Sequence, residues 1–279
     1  MQLTDPDARP GASRRKRFAA AAGLLCVSLA AGCATHTDRL REVREAFYAG
    51  HVESALAACD EHLEPGAADA DVLKLDRAVI QLAAGRPAEA ERTLREVRDR
   101  FDYLEQHSAA ESVLRLATDD QAAAYAGEDY EKVLLRAMLA VSNLMHDGGD
   151  ALAYSLQVNQ KQQQIIRAGA TADGENPKLA YKRVALGAYL YGTLREATHM
   201  NYDDASRAYA DVVAWEPTFA PGHEAVRRAS YGRHSRPGHG VLYVLALVGR
   251  GPYKEEVAEM PTTAALLIAD RILSHTGKH

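Results

Sequence analysis

Two short stretches of this chain, Gly50-His51-Val52-Glu53-Ser54-Ala55 and Gly85-Arg86-Pro87-Ala88-Glu89-Ala90, share Gly at the first position and Ala at the last. Both are flanked by helix-like sequence. The first begins at residue 50 and the second at residue 85, which is 35 residues later. Similar stretches run from Gly148 to Ala153 and, with Met in place of Gly, from Met200 to Ala205. A tight turn at a small residue, followed by a helix entered on Ala, predicts a helical hairpin at each of them.

The spacing of these turns predicts the fold. Helical hairpins that recur about every 34 residues are typical of tetratricopeptide repeats, in which each hairpin packs on its neighbours. Hydrophobic residues make up 47% of the chain and aromatics only 6%, which suits close-packed helices better than a sheet. We therefore expect an all-α, tetratricopeptide-like solenoid of about 9–11 helices over residues 38–230.

Apolar residues that recur at steps of three and four predict the individual helices. The predicted ranges are 38–49, 52–63, 71–84, 87–101, 105–117, 130–145, 151–168, 177–199, 202–215 and 221–229. Within the seventh range, the tract from Gln160 to Gln164 is polar and is predicted to be a solvated helix face or part of a long exposed helix. Ala90 is predicted to mark a close crossing of two helices, and residues 169–177 a loop.

The pattern changes in the last part of the chain, residues 231–279. After a Gly- and Pro-rich linker, the run Val241–Val248 is short, apolar and β-branched, which predicts a buried strand. Residues 254–259 are predicted to return as a polar edge and 262–274 to form a last helix. A lone strand cannot satisfy its own backbone, so we expect this C-terminal β element to pair with another segment or subunit.

The N-terminus has the order of features found in export signals. A basic cluster, Arg14–Arg17, precedes an uncharged run, Phe18–Ala31, which is too short to span a bilayer but fits the apolar core of a signal peptide. The sequence Leu29-Ala30-Ala31-Gly32-Cys33 then resembles a bacterial lipoprotein signal. An ordinary cleaved signal peptide and an uncleaved apolar start remain alternatives.

The lipoprotein resemblance implies cleavage between Gly32 and Cys33, lipidation of Cys33, and a tether over residues 33–37. Residues 1–32 would then be the signal peptide, and several acyl chains would make the membrane attachment lasting. Ala34, rather than Asp, follows Cys33, which favours an outer-membrane lipoprotein facing the periplasm.

Two further motifs carry a family resemblance. They are Tyr125–Leu134, which reads Tyr-Ala-Gly-Glu-Asp-Tyr-Glu-Lys-Val-Leu, and Gly249–Glu255, which reads Gly-Arg-Gly-Pro-Tyr-Lys-Glu. Both resemble motifs of a family of uncharacterised bacterial tetratricopeptide-like lipoproteins. The resemblance implies envelope placement, helical hairpins, then a strand with a Gly-Pro-x-Lys turn, and it implies no activity. Members of that family continue beyond the last helix, so an end at His279 predicts a truncated chain.

The sequence does not predict catalysis. It lacks a His-Glu-x-x-His metal motif, a Gly-x-Ser-x-Gly nucleophile elbow and a complete phosphate-binding loop, so we expect no metal, cofactor or nucleotide. The net charge is −5, and five basic but only two acidic residues precede Cys33, so the rest of the chain is more acidic still. An acidic surface repels phosphate, which argues against nucleic acid as a partner. Cys59 stands alone in the body of the chain and is predicted to be a buried apolar residue.

Tyrosines and two basic residues are the candidate binding residues. Of thirteen tyrosines, eleven lie at or after Tyr125, and two interpretations remain open. They could pack between helices with their hydroxyls in water, or they could line a concave groove for a peptide or glycan. The groove would use Tyr181, Tyr189, Tyr191, Tyr202 and Tyr209.

Arg250 and Lys254 lie in the turn after the predicted strand. They would bind an anion or a partner's carboxylate, unless the turn serves only to end the strand.

These observations together predict a lipid-anchored scaffold of the cell envelope that holds a protein partner and has no enzymatic activity. The first alternative is an envelope module that binds peptidoglycan or another glycan through the tyrosine-rich groove. The second, ranked below it, is a hydrolase whose residues meet only in three dimensions.

Overall fold

A computed structural model describes residues 36–64, 66–67, 70–111, 125–171, 173–232 and 234–249. The regular secondary structure of these ranges consists of helices, with no strand, which confirms the predicted all-α class for the described part of the chain. The α-helices, numbered here in chain order, are α1 His36–Tyr48, α2 Val52–His62, α3 Ala70–Ala83, α4 Pro87–Glu111, α5 Asp129–Leu144, α6 Ala151–Ala168, α7 Leu186–Glu196, α8 Tyr202–Trp215 and α9 Ala220–Ser230. A short 3₁₀ helix, Pro177–Ala180, lies between α6 and α7.

The glycine turns between α1 and α2 and between α3 and α4 have the same geometry. Gly50 and Gly85 adopt positive φ angles of 83° and 72°, a region that favours glycine. The next amide in each turn donates back into the preceding helix, His51 to the carbonyl of Ala46 at 3.0 Å and Arg86 to that of Gln81 at 2.9 Å. This bonding pattern ends a helix and reverses the chain, so the Gly motif produces the hairpin as predicted.

The alanine of the motif is buried where the next helix meets its neighbour. Ala55, Ala90 and Ala205 have no exposed surface. The third copy differs from the prediction, because Ala153 is exposed whereas Tyr154 is buried. A second glycine follows Gly148 in that turn and displaces the buried position by one residue.

The fourth turn also departs from the predicted pattern. We expected Met200 to replace the glycine, but the residue with positive φ, at 58°, is His199. Met200 is instead an exposed residue of the same turn.

Helices that are consecutive in the chain pack against each other from α1 to α9. In addition, α1 contacts α3 and α5 contacts α7, so each of these contacts skips one helix in the chain order. The apolar core follows the same order, with one cluster shared by α1–α3, a larger one drawn from α3–α7, and another in α8 and α9. The core is therefore distributed along the chain of helices.

Two predicted helix boundaries are wrong. Helix α4 runs unbroken from Pro87 to Glu111, although we predicted a break near Phe101 and a new helix at residue 105. Phe101 is fully buried and keeps the helix packed through this point. The predicted helix over 177–199 is also interrupted, because only Pro177–Ala180 forms a 3₁₀ turn before α7 starts at Leu186.

The chain divides into two units, the second of which begins at His239. In this unit residues 241–248 do not form the predicted strand, and the side chains of Leu242, Val244 and Val248 are 78–85% exposed. The prediction of a buried strand is therefore wrong for this segment, because the described residues provide no neighbouring strand to cover it. The predicted edge at 254–259 and the predicted helix at 262–274 lie outside the described residues. Residues 112–117 of the helix predicted over 105–117 also lie outside them.

Candidate functional site

The structure assigns Tyr209 and Tyr189 to helix packing. Tyr209 has no exposed surface, and its hydroxyl donates to Oε2 of Glu196 at 2.7 Å. The partly buried ring of Tyr189 packs against the rings of Tyr209 and Phe219, with centroids 5.8 and 5.4 Å apart. The prediction that Tyr209 lines a surface groove is therefore wrong, since its ring fills the space between α7, α8 and α9.

The other three predicted tyrosines occupy separate surroundings. Tyr181 is half exposed and follows the 3₁₀ helix. Tyr191 accepts a hydrogen bond from Nε of Arg195 at 3.0 Å, and the Tyr202 hydroxyl accepts one from the backbone of His234 at 3.2 Å. Of the five tyrosines predicted to line a groove, Tyr181 alone lines one of the two cavities described below. Gly32, Cys33, Arg250 and Lys254 lie outside the described residues.

One cavity, which we call the apolar pocket, lies between α5, α6 and the segment that follows the 3₁₀ helix. Its volume is about 440 Å³, and its lining includes Val133, Ile165, Tyr181 and Val184. Two amide side chains hold the segment in place. Asn176 donates to the last turn of α6, at the carbonyl of Ile166, over 2.6 Å, and Gln162 pairs with the backbone of Val184.

The second cavity, which we call the polar pocket, lies between α4, α5 and the other face of α6. It has a volume of about 680 Å³, and its walls include Asp102, Glu105, Arg136, Gln157, Gln160 and Gln164. The volumes of both cavities fall in the range of small-ligand sites, about 300–1,000 Å³.

Buried cations form the base of the polar pocket. Nη2 of Arg136 reaches both carboxylate oxygens of Asp102 at 2.7 Å, and Nζ of Lys161 lies 3.3 Å from Asp102 and also contacts Glu105. The side chains of Arg136 and Lys161 are only 6% and 5% exposed, whereas those of Asp102 and Glu105 are 34% and 39% exposed. The carboxylates therefore cover the cations and present the accessible charge.

The sequence prediction for the glutamine tract was partly wrong. Gln160, Gln163 and Gln164 are exposed as expected, but Lys161 and Gln162 are buried. The helical spacing contains the signal that could have revealed this, because Lys161 continues the buried stripe of Tyr154, Val158 and Ile165. A lysine in a core position predicts a buried ion pair, which is what the polar pocket contains.

A buried carboxylate, Glu91, ties α4 to the turn between α5 and α6. It accepts hydrogen bonds from the Tyr154 hydroxyl at 2.9 Å and from Nδ2 of Asn143 at 3.0 Å, and it also contacts His146 and Arg95. Burial alone would raise the pKa of Glu91, but these hydrogen bonds outweigh it and lower the pKa to about 2.

Glu196 has the same role among the last three described helices, α7, α8 and α9. It is fully buried, and Arg228 of α9 donates to its Oε2 at 2.8 Å while Tyr209 of α8 donates to the same atom. Burial would raise the pKa of Glu196, but the bonds from Arg228 and Tyr209 lower it overall. Both buried glutamates thus accept hydrogen bonds from other helices, which is an arrangement that holds helices together.

Cys59 is fully buried between α1, α2 and α3, as predicted from its place in the apolar stripe. Burial raises the pKa of its thiol to about 12, so the reactive thiolate is strongly disfavoured in the folded protein.

No group of three or more His, Cys, Asp or Glu residues in the described ranges is placed to hold a metal ion. None of the helices in these ranges combines the length and the apolar character needed to cross a bilayer.

Comparison with known proteins gives no family for the chain. Neither a protein-family model, nor a curated protein sequence, nor a solved structure matches it.

Proposed function

We propose that the chain is a lipid-anchored scaffold of the bacterial cell envelope, and that it holds a protein partner on a solenoid of tetratricopeptide-like hairpins. The observation that carries this proposal is the order of packing. Each helix packs on the next, and the additional contacts join α1 to α3 and α5 to α7. In a stack of hairpins the first helices of neighbouring hairpins lie side by side, which is the relation that these contacts describe.

The two buried carboxylates with lowered pKa values suit helix packing better than acid–base catalysis. The carboxylates of Glu91 and Glu196 each accept hydrogen bonds from side chains of other helices, and these bonds lower their pKa values. A catalytic acid or base needs a pKa near the working pH and access to a substrate. Both glutamates instead have lowered pKa values and are almost completely buried, which suits interhelical ties.

The envelope location rests on the sequence around Cys33, where the lipoprotein-like signal ends. We expect the Cys33→Ser variant, expressed in a diderm bacterium, to lose metabolic labelling by a palmitate analogue and to leave the membrane fraction. Cys59→Ser is the matched control, because Cys59 is buried in the folded chain. Labelling that persists in Cys33→Ser would refute lipidation at this residue.

The partner is tested by crosslinking in intact cells, followed by affinity purification and mass spectrometry. We expect the wild-type chain to retain one defined envelope protein in repeated experiments. Recovery of only abundant, variable proteins would count against the scaffold. Binding of the purified chain to cell-wall sacculi instead, with no protein crosslink, would favour the glycan alternative.

A further inference from the structure

Gln162 shows how a glutamine of this chain binds peptide backbone. Its Oε1 accepts a hydrogen bond from the amide of Val184 at 2.6 Å, and its Nε2 donates to the carbonyl of the same residue at 3.4 Å. The side-chain amide thus occupies both backbone groups of one residue, as a neighbouring strand does. This contact holds the segment before α7 against α6.

The same helix carries further glutamines on the face that lines the polar pocket. Gln160 and Gln164 are both exposed there, and their amides make no hydrogen bond with any described residue. They therefore have the chemistry that Gln162 uses, with the donor and acceptor both available.

The spacing of these two amides suits an extended chain. Residues four apart on a helix are about 6 Å apart along its axis. Alternate residues of an extended peptide, whose backbone groups point to the same side, are about 6.6–6.8 Å apart. Gln160 and Gln164 can therefore pair with two successive same-side residues of one extended segment.

The accessible charge of the polar pocket selects the side chains of that segment. The carboxylates of Asp99, Asp102 and Glu105 are 66%, 34% and 39% exposed. The cations opposite them are less accessible, at 19% for Arg98 and 6% for Arg136. A ligand that enters the pocket meets mainly carboxylates, which favour Lys or Arg side chains over Asp or Glu.

We propose that the polar pocket binds an extended, basic segment of a partner protein, with Gln160 and Gln164 pairing to its backbone. This inference rests on the proposed scaffold function, because it assigns to one site the recognition of the protein partner.

The test uses the purified full chain and a blocked six-residue peptide, acetyl-(Ala-Lys)₃-amide, titrated while the side-chain amide signals of the glutamines are followed by NMR. We expect the signals of Gln160 and Gln164 to shift at millimolar peptide or below. N-methylation of one alternate set of peptide amides should weaken binding by about two- to tenfold per lost hydrogen bond, while methylation of the other set has little effect. The acidic peptide acetyl-(Ala-Glu)₃-amide should bind more weakly than the basic one.

The chain supplies its own control variant. Gln163 belongs to the same tract and is exposed, but it lines neither cavity. We expect the double variant Gln160→Leu/Gln164→Leu to weaken peptide binding at least about fivefold and Gln163→Leu to leave it unchanged. Circular dichroism should be the same for both, since all three side chains are at the surface.

Several results would overturn the proposal: no shift of Gln160 or Gln164 with the unmethylated peptide, equal binding of the basic and acidic peptides, or an equal loss in Gln163→Leu. Crosslinking in cells then separates this inference from the scaffold function. If the double variant still captures the same envelope partner as the wild type, the partner docks elsewhere and only the assignment of the polar pocket fails. If the wild type captures no partner, the scaffold function itself fails.

Discussion

Single buried side chains connect the helices of this protein, and Glu91 is the clearest case. Its carboxylate contacts groups from α4, from the end of α5, from the turn that follows α5 and from α6. Removing one partner of a buried hydrogen-bonded charge leaves the charge without compensation, which is strongly destabilising. The contribution of Glu91 to stability should therefore depend on its charge and hence on pH.

We expect Glu91→Gln to lower the free energy of unfolding at pH 7 by about 3 kcal/mol, because the pKa of Glu91 falls from 4.5 to about 2 and each pKa unit is worth about 1.4 kcal/mol. Because the folded-state pKa is below the unfolded value, this stabilisation is present above about pH 4.5. It is lost as the pH falls from there towards 2. Urea unfolding of wild type and variant at several pH values should show the difference between them shrinking below pH 4.5. A difference that stays constant down to pH 2.5 would contradict the assignment.

At the residue scale, sequence periodicity predicts burial well for apolar side chains and poorly for polar ones. Cys59 and Ala90 were predicted to be buried and are. Glu91 and Lys161 are also buried, yet a charged residue in a sequence predicts a solvent-exposed side chain unless its ion-pair or hydrogen-bond partners are known. Apart from Arg95, which is four residues from Glu91 in α4, those partners lie more than 50 residues away in the sequence, so no local pattern contains them.

At the element scale, the helix crossings depend on small side chains. Ala90 has no exposed surface at the point where α4 meets its neighbours, whereas Ala88, two residues earlier, is exposed. We expect Ala90→Leu to lower the free energy of unfolding by about 1–3 kcal/mol, because the larger side chain forces the packed helices apart.

Chemical denaturation with urea measures this change, and Ala88→Leu is the matched control. The control should change stability by less than about 0.5 kcal/mol, since surface substitutions seldom do more. Equal stability of the two leucine variants would mean that the crossing is looser than the structure indicates.

The boundaries of helices were predictable where a turn signal marked them. The predicted ranges 151–168 and 202–215 coincide with α6 and α8, which follow the turns at Gly148 and His199. The predicted break after Phe101 was wrong because that region contains no Gly or Pro, and the buried Phe101 holds α4 together. Residues 241–248 show the opposite error, since an apolar, β-branched run becomes a strand only when another strand lies beside it.

For the whole molecule, the order of packing predicts that the helical unit opens in parts. In a chain of hairpins that contact only their neighbours, stability is a sum of local terms, and a defect at one end affects mainly that end. Leu56 lies in the cluster of α1–α3, and Val212 is buried in α8 at the other end.

We expect Leu56→Ala to increase hydrogen exchange in α1–α3 while α8 and α9 keep their wild-type protection. Val212→Ala should give the reverse result. Hydrogen exchange with mass spectrometry resolves both ends of the unit in one experiment. If either substitution raised exchange uniformly from α1 to α9, the helices would form one cooperative core and the solenoid would be refuted.

The buried thiol of Cys59 gives this protein an internal reporter. Its pKa of about 12 and its complete burial mean that alkylating reagents can modify it only during moments when the first three helices separate. The modification rate at this residue, followed by peptide mapping, therefore counts those openings without any engineered label. A partner bound to the surface of the first three helices would slow that rate, so alkylation of Cys59 would detect partner binding in the native chain.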